Sequence, residues 1–221
     1  MIKTEFQELE IPIAGSAVKV SARLYEWGKT DTPSKNIMIL SNTSTNRQEE
    51  WDPLVATMSG ERDERDEKFA VLTYTYPEGA SLESALEAVI EFVESEGRTQ
   101  GEERIVLAGA GRGGAVSLRV AARRGDDNNI VGLVAISTPL EFEGERLYTD
   151  GDLRMIIAPK LVISSEFEDG VEDSRNIFAL LEDPRQLTIY PGDAHGTDLF
   201  LEHGESLTRQ LREFALWAMR R

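Results

Sequence analysis

The stretch Leu107-Ala108-Gly109-Ala110-Gly111-Arg112-Gly113-Gly114-Ala115 lies mid-chain between two differently patterned runs. Residues 104–108, before it, are mostly apolar and predict a buried strand, whereas residues 115–124, after it, predict a helix. Four glycines at such a junction require a backbone that adopts positive φ or admits another group at close range. The stretch therefore predicts a sharp strand-to-helix turn, around which we expect the fold to be organised.

Two kinds of site use a glycine-rich turn of this kind. In one, a nucleophile stands at the tip of an elbow with the spacing G-x-S-x-G. In the other, phosphate groups lie on a helix N-terminus after a G-x-G-x-x-G turn. The glycines at 109, 111, 113 and 114 satisfy both spacings, but the residue types match only the second, because Gly111 stands where the nucleophile would be.

Composition limits the classes of protein to consider. The 221 residues suit a single domain, predicted to span 1–221, with a formal net charge of -16. A field of this sign repels nucleic acid and anionic membranes, so neither is expected as a partner. The chain has no cysteines, hence no disulfides and no cysteine metal site. No apolar run approaches the ~18 residues of a membrane span, and we expect a cytoplasmic protein.

The rest of the chain alternates strand-like and helix-like segments. Alternating residues in 5–13 and 17–27 predict an antiparallel hairpin. Short apolar runs predict strands over 36–40, 69–76, 105–108, 130–136, 160–163 and 186–190. Helices are predicted over 51–58, 115–124, 171–181 and 199–219, with a further one that Ser81 caps and Gly97 closes. Such alternation indicates a mostly parallel sheet with helices on both faces.

Two segments fit this scheme less simply. The run 60–68 is almost entirely charged, which is typical of a solvated connection. The segment 139–158 is irregular and predicts a loop or a small lid. Its Phe142, Leu147 and Tyr148 are candidates to line a pocket, although such side chains more often pack on their own domain.

The order of these parts resembles the α/β-hydrolase superfamily, in particular its small esterases and dienelactone-hydrolase-like members. The resemblance covers nearly the whole chain. It implies an α/β fold with a mostly parallel central sheet, an N-terminal antiparallel hairpin, helices on both faces and little or no lid. In this family the triad runs serine, acid, histidine along the sequence, with the serine at the elbow. By that resemblance Gly111 occupies the nucleophile position and leaves it vacant.

The resemblance also implies positions for the other members of the triad. After the strand predicted over 160–163, the acid falls on Glu168, with Asp169 as the close alternative. His195, in Pro-Gly-Asp-Ala-His-Gly, matches the family's histidine loop. The second histidine, His203, lies on the flank of the terminal helix and is expected to face solvent.

The oxyanion hole implied by the family would combine two backbone N–H groups. One belongs to Arg112, directly after the elbow position, and the other to the loop after residue 40, near Asn42 or Thr43. That loop departs from the family pattern, because Ser41-Asn42 stand where His-Gly is common. Two of the family's active-site signatures are therefore altered, while the acid and the histidine are retained.

Glycine at the elbow decides the functional hypothesis. Acyl-enzyme chemistry needs a side-chain nucleophile, and a triad without its serine retains only a rate that is orders of magnitude lower. We therefore predict a degenerate triad in a protein that is not an ordinary serine hydrolase, with a small molecule bound in the elbow pocket of a non-catalytic protein. No cofactor and no metal are expected, and the oligomeric state stays open.

Three alternatives remain. An active hydrolase or esterase on a small ester would use water activated by His195 or a relocated nucleophile among Ser41, Thr43, Ser44, Ser137 and Thr138. The turn Gly109 to Gly114 would bind a phosphate or dinucleotide with Arg112 as partner, although it does not lie in the first strand–helix unit. Finally, the glycine at 111 would be a substitution introduced to inactivate the protein.

Overall fold

The computed structural model describes residues 6–26, 34–43, 47–60, 69–95, 103–125 and 129–221. The strands are β1 Gln7–Pro12, β2 Lys19–Glu26, β3 Asn36–Ser41, β4 Phe69–Tyr74, β5 Arg104–Ala110, β6 Ile130–Ile136, β7 Glu141–Phe142, β8 Glu145–Arg146, β9 Lys160–Ser165 and β10 Arg185–Tyr190. The helices are α1 Asp52–Gly60, α2 Leu82–Ser95, α3 Arg112–Arg124, α4 Asp150–Arg154, α5 Val171–Leu180 and α6 Leu199–Met219.

One eight-stranded sheet, in the order β1-β2-β4-β3-β5-β6-β9-β10, forms the centre of the described part of the chain. β1 and β2 form the predicted antiparallel hairpin, with Ile11 opposite Val20, and β2 runs antiparallel to β4. All other neighbours pair in parallel, from β4 and β3 across to β9 and β10. The predicted fold class is confirmed: the sheet is mostly parallel with an antiparallel N-terminal edge.

Helices cover both faces of this sheet. On one face α2, α3 and α5 bury Leu86, Leu118 and Ile177 against the strands. On the other, α1 and α6 bury Leu54 and Leu211. Because both faces are covered, the central strands are apolar throughout rather than alternating, which is why they read as continuous apolar runs in the sequence. None of the helices described here combines the length and apolarity that crossing a bilayer requires.

Local signals in the sequence have the expected effects, with differences at element ends. The Ser81 hydroxyl accepts the N–H of Ser84 at 3.0 Å and so caps α2. Helix α3 begins at Arg112 rather than at 115, because the first turn contains two glycines whose low helix propensity hides it. Gly97 and the charged residues 61–68 lie outside the described residues.

The segment 139–158 forms a small excursion from the sheet. It contains the β7–β8 hairpin and the short helix α4, which Thr149 begins with a capping box to Asp152. Tyr148 is buried there and donates its hydroxyl to the carbonyl of Pro139 at 2.7 Å, so it packs within its own segment. The excursion places Phe142 and Leu147 beside the N-terminal half of α3.

Candidate active site

The strand-to-helix turn has the geometry of a nucleophile elbow. Gly111, between β5 and α3, has φ 52° and ψ -124°, a conformation that side chains disfavour. Its N–H donates to the carbonyl of Ile136 on β6 at 2.8 Å, and its carbonyl accepts the N–H of Gly114 at 3.1 Å. Position 111 is thus fixed at the carboxyl edge of the sheet, where open α/β sheets hold their sites.

The glycines of the turn are there for different reasons. A Cβ on Gly109 would lie 2.3 Å from the backbone of Gly113, and one on Gly113 would lie 2.3 Å from the carbonyl oxygen of Asn42. A Cβ on Gly114 would lie 2.0 Å from the hydroxyl of Thr138. These three positions are filled by their neighbours, so glycine is required there for close packing of the turn.

Position 111 itself has room for a side chain. A Cβ on Gly111 would lie 3.5 Å from the Cα and Cβ of Thr43, which is ordinary van der Waals contact. The glycine there is not required by packing, in contrast to the other three. The turn therefore has room for a side chain at position 111, where the sequence has none.

The acid and the histidine predicted from the sequence meet at this edge. Glu168 follows β9, its side chain is 1% exposed, and its Oε2 lies 2.8 Å from Nδ1 of His195. Its Oε1 accepts the hydroxyl of Ser164 and the N–H of Ser165, the latter at 3.2 Å. The alternative acid, Asp169, is exposed and acts on His195 only through its charge.

Hydrogen bonding shifts the two titrating groups in opposite directions. Burial alone would raise the Glu168 pKa, but the hydrogen bonds from His195, Ser164 and Ser165 outweigh it and hold that pKa below its ordinary value. Ser137, after β6, contributes in the same sense without meeting the geometry of a hydrogen bond. The hydrogen bond to Glu168 raises the pKa of His195, and burial opposes it. The pair therefore favours carboxylate and imidazolium together.

The loop after β10 holds His195 beside the elbow. Ser165 donates its hydroxyl to the carbonyl of Ala194 at 2.6 Å, which fixes the residue just before the histidine. A Cβ on Gly196, just after it, would lie 2.8 Å from Cγ2 of Thr43. The same threonine also faces position 111, so the loop that carries His195 and the elbow both lie against Thr43. With Nδ1 on Glu168, the Nε2 atom is the ring's base when Nδ1 carries the proton.

His203, expected to face solvent, is largely covered. Its side chain is 20% exposed and its ring stacks on Tyr190, with 4.8 Å between the ring centroids. Its Nε2 donates to the carbonyl of Pro191 at 2.8 Å, at the start of the loop that carries His195. The residue lies where α6 departs from helical geometry, with φ -125° and ψ 20°. This kink turns the ring towards the loop, which a regular helical pattern does not reveal.

The two predicted oxyanion donors are in different states. The N–H of Arg112 belongs to the first turn of α3, whose N–H groups have no partner within the helix. The N–H of Thr43 already donates to Oε2 of Glu50 at 3.1 Å. The side chain of Asn42 is buried, and its Nδ2 donates to the carbonyl of Tyr74 at 2.7 Å. The sequence does not indicate Glu50 as a partner of Thr43, because a glutamate beside other polar residues carries no diagnostic pattern.

The alternative nucleophiles within the described residues are either buried or hydrogen-bonded to other groups. The hydroxyls of Ser41 and Tyr74 lie 2.9 Å apart, and that of Thr43 donates to Glu50 at 2.7 Å. Ser137 is buried, and Thr138 packs against Gly114; Ser44 lies outside the described residues. Within the described part of the chain, the His195 ring hydrogen-bonds to Glu168 and to no hydroxyl.

A cavity of about 580 Å³ opens beside the elbow. It lies between the N-terminal parts of α2 and α3 and the β7–β8 hairpin, and Arg112, Arg119, Phe142 and Leu147 are among its lining residues. The Arg112 guanidinium lies 4.0 Å from the centre of the Phe142 ring, a cation–π contact that forms one wall. Among the described residues, no group of three or more His, Asp or Glu side chains is placed to hold a metal ion.

Comparison with solved structures finds close likeness across the chain. An esterase, Est1E from Butyrivibrio proteoclasticus, superposes with a TM-score of 0.76 and 17% identity over 97% of this chain and 99% of that one. The esterase domain of a Rhodothermus marinus protein gives 0.73 and 16% over 98% of each. A dienelactone hydrolase from Anabaena variabilis gives 0.70 and 16% over 96% and 97%.

No family model and no curated protein matches the sequence. At such identities, the likeness to the solved structures concerns the fold, and the chemistry must be argued from the residues of this chain.

Proposed function

We propose that this chain, which has the α/β-hydrolase fold, is a small-molecule-binding protein with a degenerate triad rather than an ordinary serine hydrolase. The observation that carries the proposal is Gly111, which keeps the elbow backbone at φ 52° and ψ -124° with room for a Cβ and has no nucleophile. Without a side-chain oxygen at this position, no acyl-enzyme forms there.

The cavity beside Arg112 supplies a place for the ligand. Its volume of about 580 Å³ falls within the ~300–1,000 Å³ range of small-molecule pockets. One wall is apolar through Phe142 and Leu147, and Arg112 and Arg119 lie on the face formed by α3. Since Arg119 pairs with Glu83 at 2.7 Å, Arg112 is the cation better placed to meet a ligand carbonyl. Glu143 and Glu145 in the same lining disfavour an anionic ligand.

The test rebuilds the missing atom. In Gly111→Ser the hydroxyl returns at the elbow, and hydrolysis of p-nitrophenyl acetate is expected to rise at least about 100-fold over the native chain, a small part of the roughly 10⁶-fold that a serine contributes in an intact triad. Gly111→Ala is the matched control, because it adds the same Cβ and the same backbone strain without the oxygen. Gly111→Ser/His195→Ala should lose the gain.

A second candidate function is hydrolysis by water activated at His195. The His195–Glu168 pair favours it, because it is intact at 2.8 Å and the imidazole side chain is 57% exposed. In this case the native chain turns over p-nitrophenyl acetate with no acyl-enzyme burst, and His195→Ala abolishes the turnover. Native turnover of that kind would overturn the proposal of a binding protein, whereas turnover confined to Gly111→Ser would support it.

A further inference from the structure

We infer that Glu50 blocks the oxyanion position of this site, so that the elbow is disabled twice, by the absent side chain at Gly111 and by a carboxylate on Thr43. The inference rests on the proposed function, since it concerns why the same elbow does not catalyse acyl transfer. It assigns a role to a residue outside the triad.

Glu50 occupies the donor that an acyl substrate would need. Its Oε2 accepts the N–H of Thr43 at 3.1 Å and the hydroxyl of the same residue at 2.7 Å. An oxyanion hole works by holding such donors about 2.7–3.1 Å from the oxygen that becomes charged. Oε2 therefore stands at the distance from the Thr43 N–H that the substrate oxygen would take.

Thr43 is placed at the elbow by backbone packing. A Cβ on Gly111 would touch Cα and Cβ of Thr43 at 3.5 Å, and a Cβ on Gly113 would lie 2.3 Å from the carbonyl oxygen of Asn42. The start of α3 and the loop after β3 are thus pressed together. The Thr43 N–H consequently belongs to the same small region as the first N–H groups of α3.

The charge of Glu50 opposes the reaction as well. Its second oxygen, Oε1, is buried and makes no hydrogen bond among the described residues. In the described part of the chain Glu50 forms no ion pair, and the Arg112 guanidinium at the start of α3 stacks on Phe142. A negative charge that develops on a substrate oxygen here would meet the carboxylate at short range in a partly buried site. Glu50 thus hinders the transition state both by occupying a donor and by repulsion.

The experiment compares four forms of the rebuilt elbow with p-nitrophenyl acetate: Gly111→Ser alone and Gly111→Ser combined with Glu50→Ala, Glu50→Gln or Glu49→Gln. Glu50→Ala frees the Thr43 N–H, whereas Glu50→Gln removes the charge and keeps an acceptor. Glu49→Gln is the matched control, because Glu49 lies on the same 3-10 turn, is half exposed and pairs with Arg23 at 2.9 Å, away from Thr43.

Relative to Gly111→Ser, we expect Glu50→Ala to raise kcat by up to about 100-fold, the effect of one oxyanion donor, with little change in KM. Glu50→Gln should raise kcat less, and Glu49→Gln should leave it unchanged. The split between kcat and KM matters, because the oxyanion exists only in the transition state, whereas a change in loop order would move KM also.

Two failures are distinguishable. If Gly111→Ser reacts with a fluorophosphonate probe but neither Glu50 variant raises kcat, the inference about Glu50 is wrong and the proposed function stands. If Gly111→Ser fails to react with the probe in every background, the vacant elbow was not the reason for inactivity and the proposed function fails with it.

Discussion

The two halves of the site are held in different ways. On the histidine side, position depends on side chains: Glu168 is fixed by Ser164 and by the N–H of Ser165, and it in turn fixes His195. On the elbow side, position depends on backbone packed against backbone, with Gly113 against the carbonyls of Ser41 and Asn42.

This difference means that the fold does not depend on which side chain stands at position 111. The packing of the elbow depends on glycines on either side of Gly111, so a side chain at 111 meets only the strain of its positive φ. Glu168, in contrast, has a structural role, since its removal would leave the Ser164 hydroxyl and the Ser165 N–H without an acceptor. Retention of the acid–histidine pair therefore says less about catalysis than its geometry suggests.

The largest expected effect tests the backbone side. Gly113→Ala places a Cβ 2.3 Å from the carbonyl oxygen of Asn42, and backbone on both sides cannot give way as a flexible side chain does. We expect a loss of about 3 kcal/mol or more in the free energy of unfolding by urea denaturation, at the upper end of overpacking effects. Gly170→Ala is the control, because its Cβ would have no heavy atom within 4 Å, and it should stay within about 0.5 kcal/mol.

The next effect tests the side-chain half. Glu168→Ala leaves the Ser164 hydroxyl and the Ser165 N–H without their acceptor, and we expect a loss of about 2 kcal/mol at pH 7. Exposed Asp169→Ala, measured in parallel, should change stability by less than about 0.5 kcal/mol. Equal losses in the two variants would contradict the assignment of the buried acid.

The stability lost in Glu168→Ala is expected to depend on pH. Because the folded-state pKa of Glu168 is lowered from 4.5, its contribution is present above that value and is lost as the pH falls through the folded pKa. The difference in stability between the native chain and Glu168→Ala should therefore shrink at acidic pH. A difference that grows on acidification would contradict the lowered pKa.

The sequence could predict the histidine side because its signals are local. The loop Pro-Gly-Asp-Ala-His-Gly follows a strand directly, and Glu168 follows another, so strand ends alone bring them to one edge. The strand-to-helix turn could also be predicted, because few local structures require four glycines within six residues. The glycine spacing fits both a nucleophile elbow and a phosphate-binding turn. The choice between them depended on the order of strands and helices along the chain.

The donors Arg112 and Thr43 could be named from the sequence, but the hydrogen bonds from Thr43 to Glu50 could not, for a physical reason. Glu50 reaches Thr43 through tertiary packing of a 3-10 turn, and a glutamate in a polar stretch has no feature that distinguishes a buried acceptor from a solvated charge. Likewise the kink at His203 and the contacts of its ring with Tyr190 and Pro191 are not indicated by the helical pattern of α6. Contacts such as Glu50 with Thr43 and His203 with Tyr190 form only in the folded chain and leave no local pattern in the sequence.

Gly111 and Gly113 should differ in how much stability an added Cβ removes. Gly111→Ala adds a Cβ with ordinary contact to Thr43, so only the strain of φ 52° remains. We expect a loss of about 1 to 2 kcal/mol in the free energy of unfolding, clearly less than for Gly113→Ala. A loss as large as that of Gly113→Ala would mean that position 111 has no room for a side chain.

A spectroscopic test examines the His195–Glu168 bond without unfolding the protein. The imidazole of His195 should titrate above 6.5, since its hydrogen bond to Glu168 raises its pKa, and the pKa should fall in Glu168→Gln. The stabilisation from the protonated ring is present below the unfolded value and is lost as the pH rises through the folded pKa. NMR follows both histidines of the chain, and His203→Gln assigns the signals. An unchanged pKa in Glu168→Gln would contradict the bond.

The last prediction is the absence of an effect. It tests whether the turn from Gly109 to Gly114 binds phosphate. A nucleotide that binds the folded protein and is present at a concentration of 100 times its Kd would stabilise it by about 2.7 kcal/mol. Around Gly109 and Gly114 the space is taken by Gly113 and by Thr138, and the chain carries a net charge of -16, so NAD and ATP should not shift the melting temperature. A saturable shift that disappears in Arg112→Gln would reverse this conclusion, because Arg112 is the cation at the start of α3. The turn would then bind phosphate in spite of its packing, and the contrast between a packed elbow and an open cradle would no longer hold.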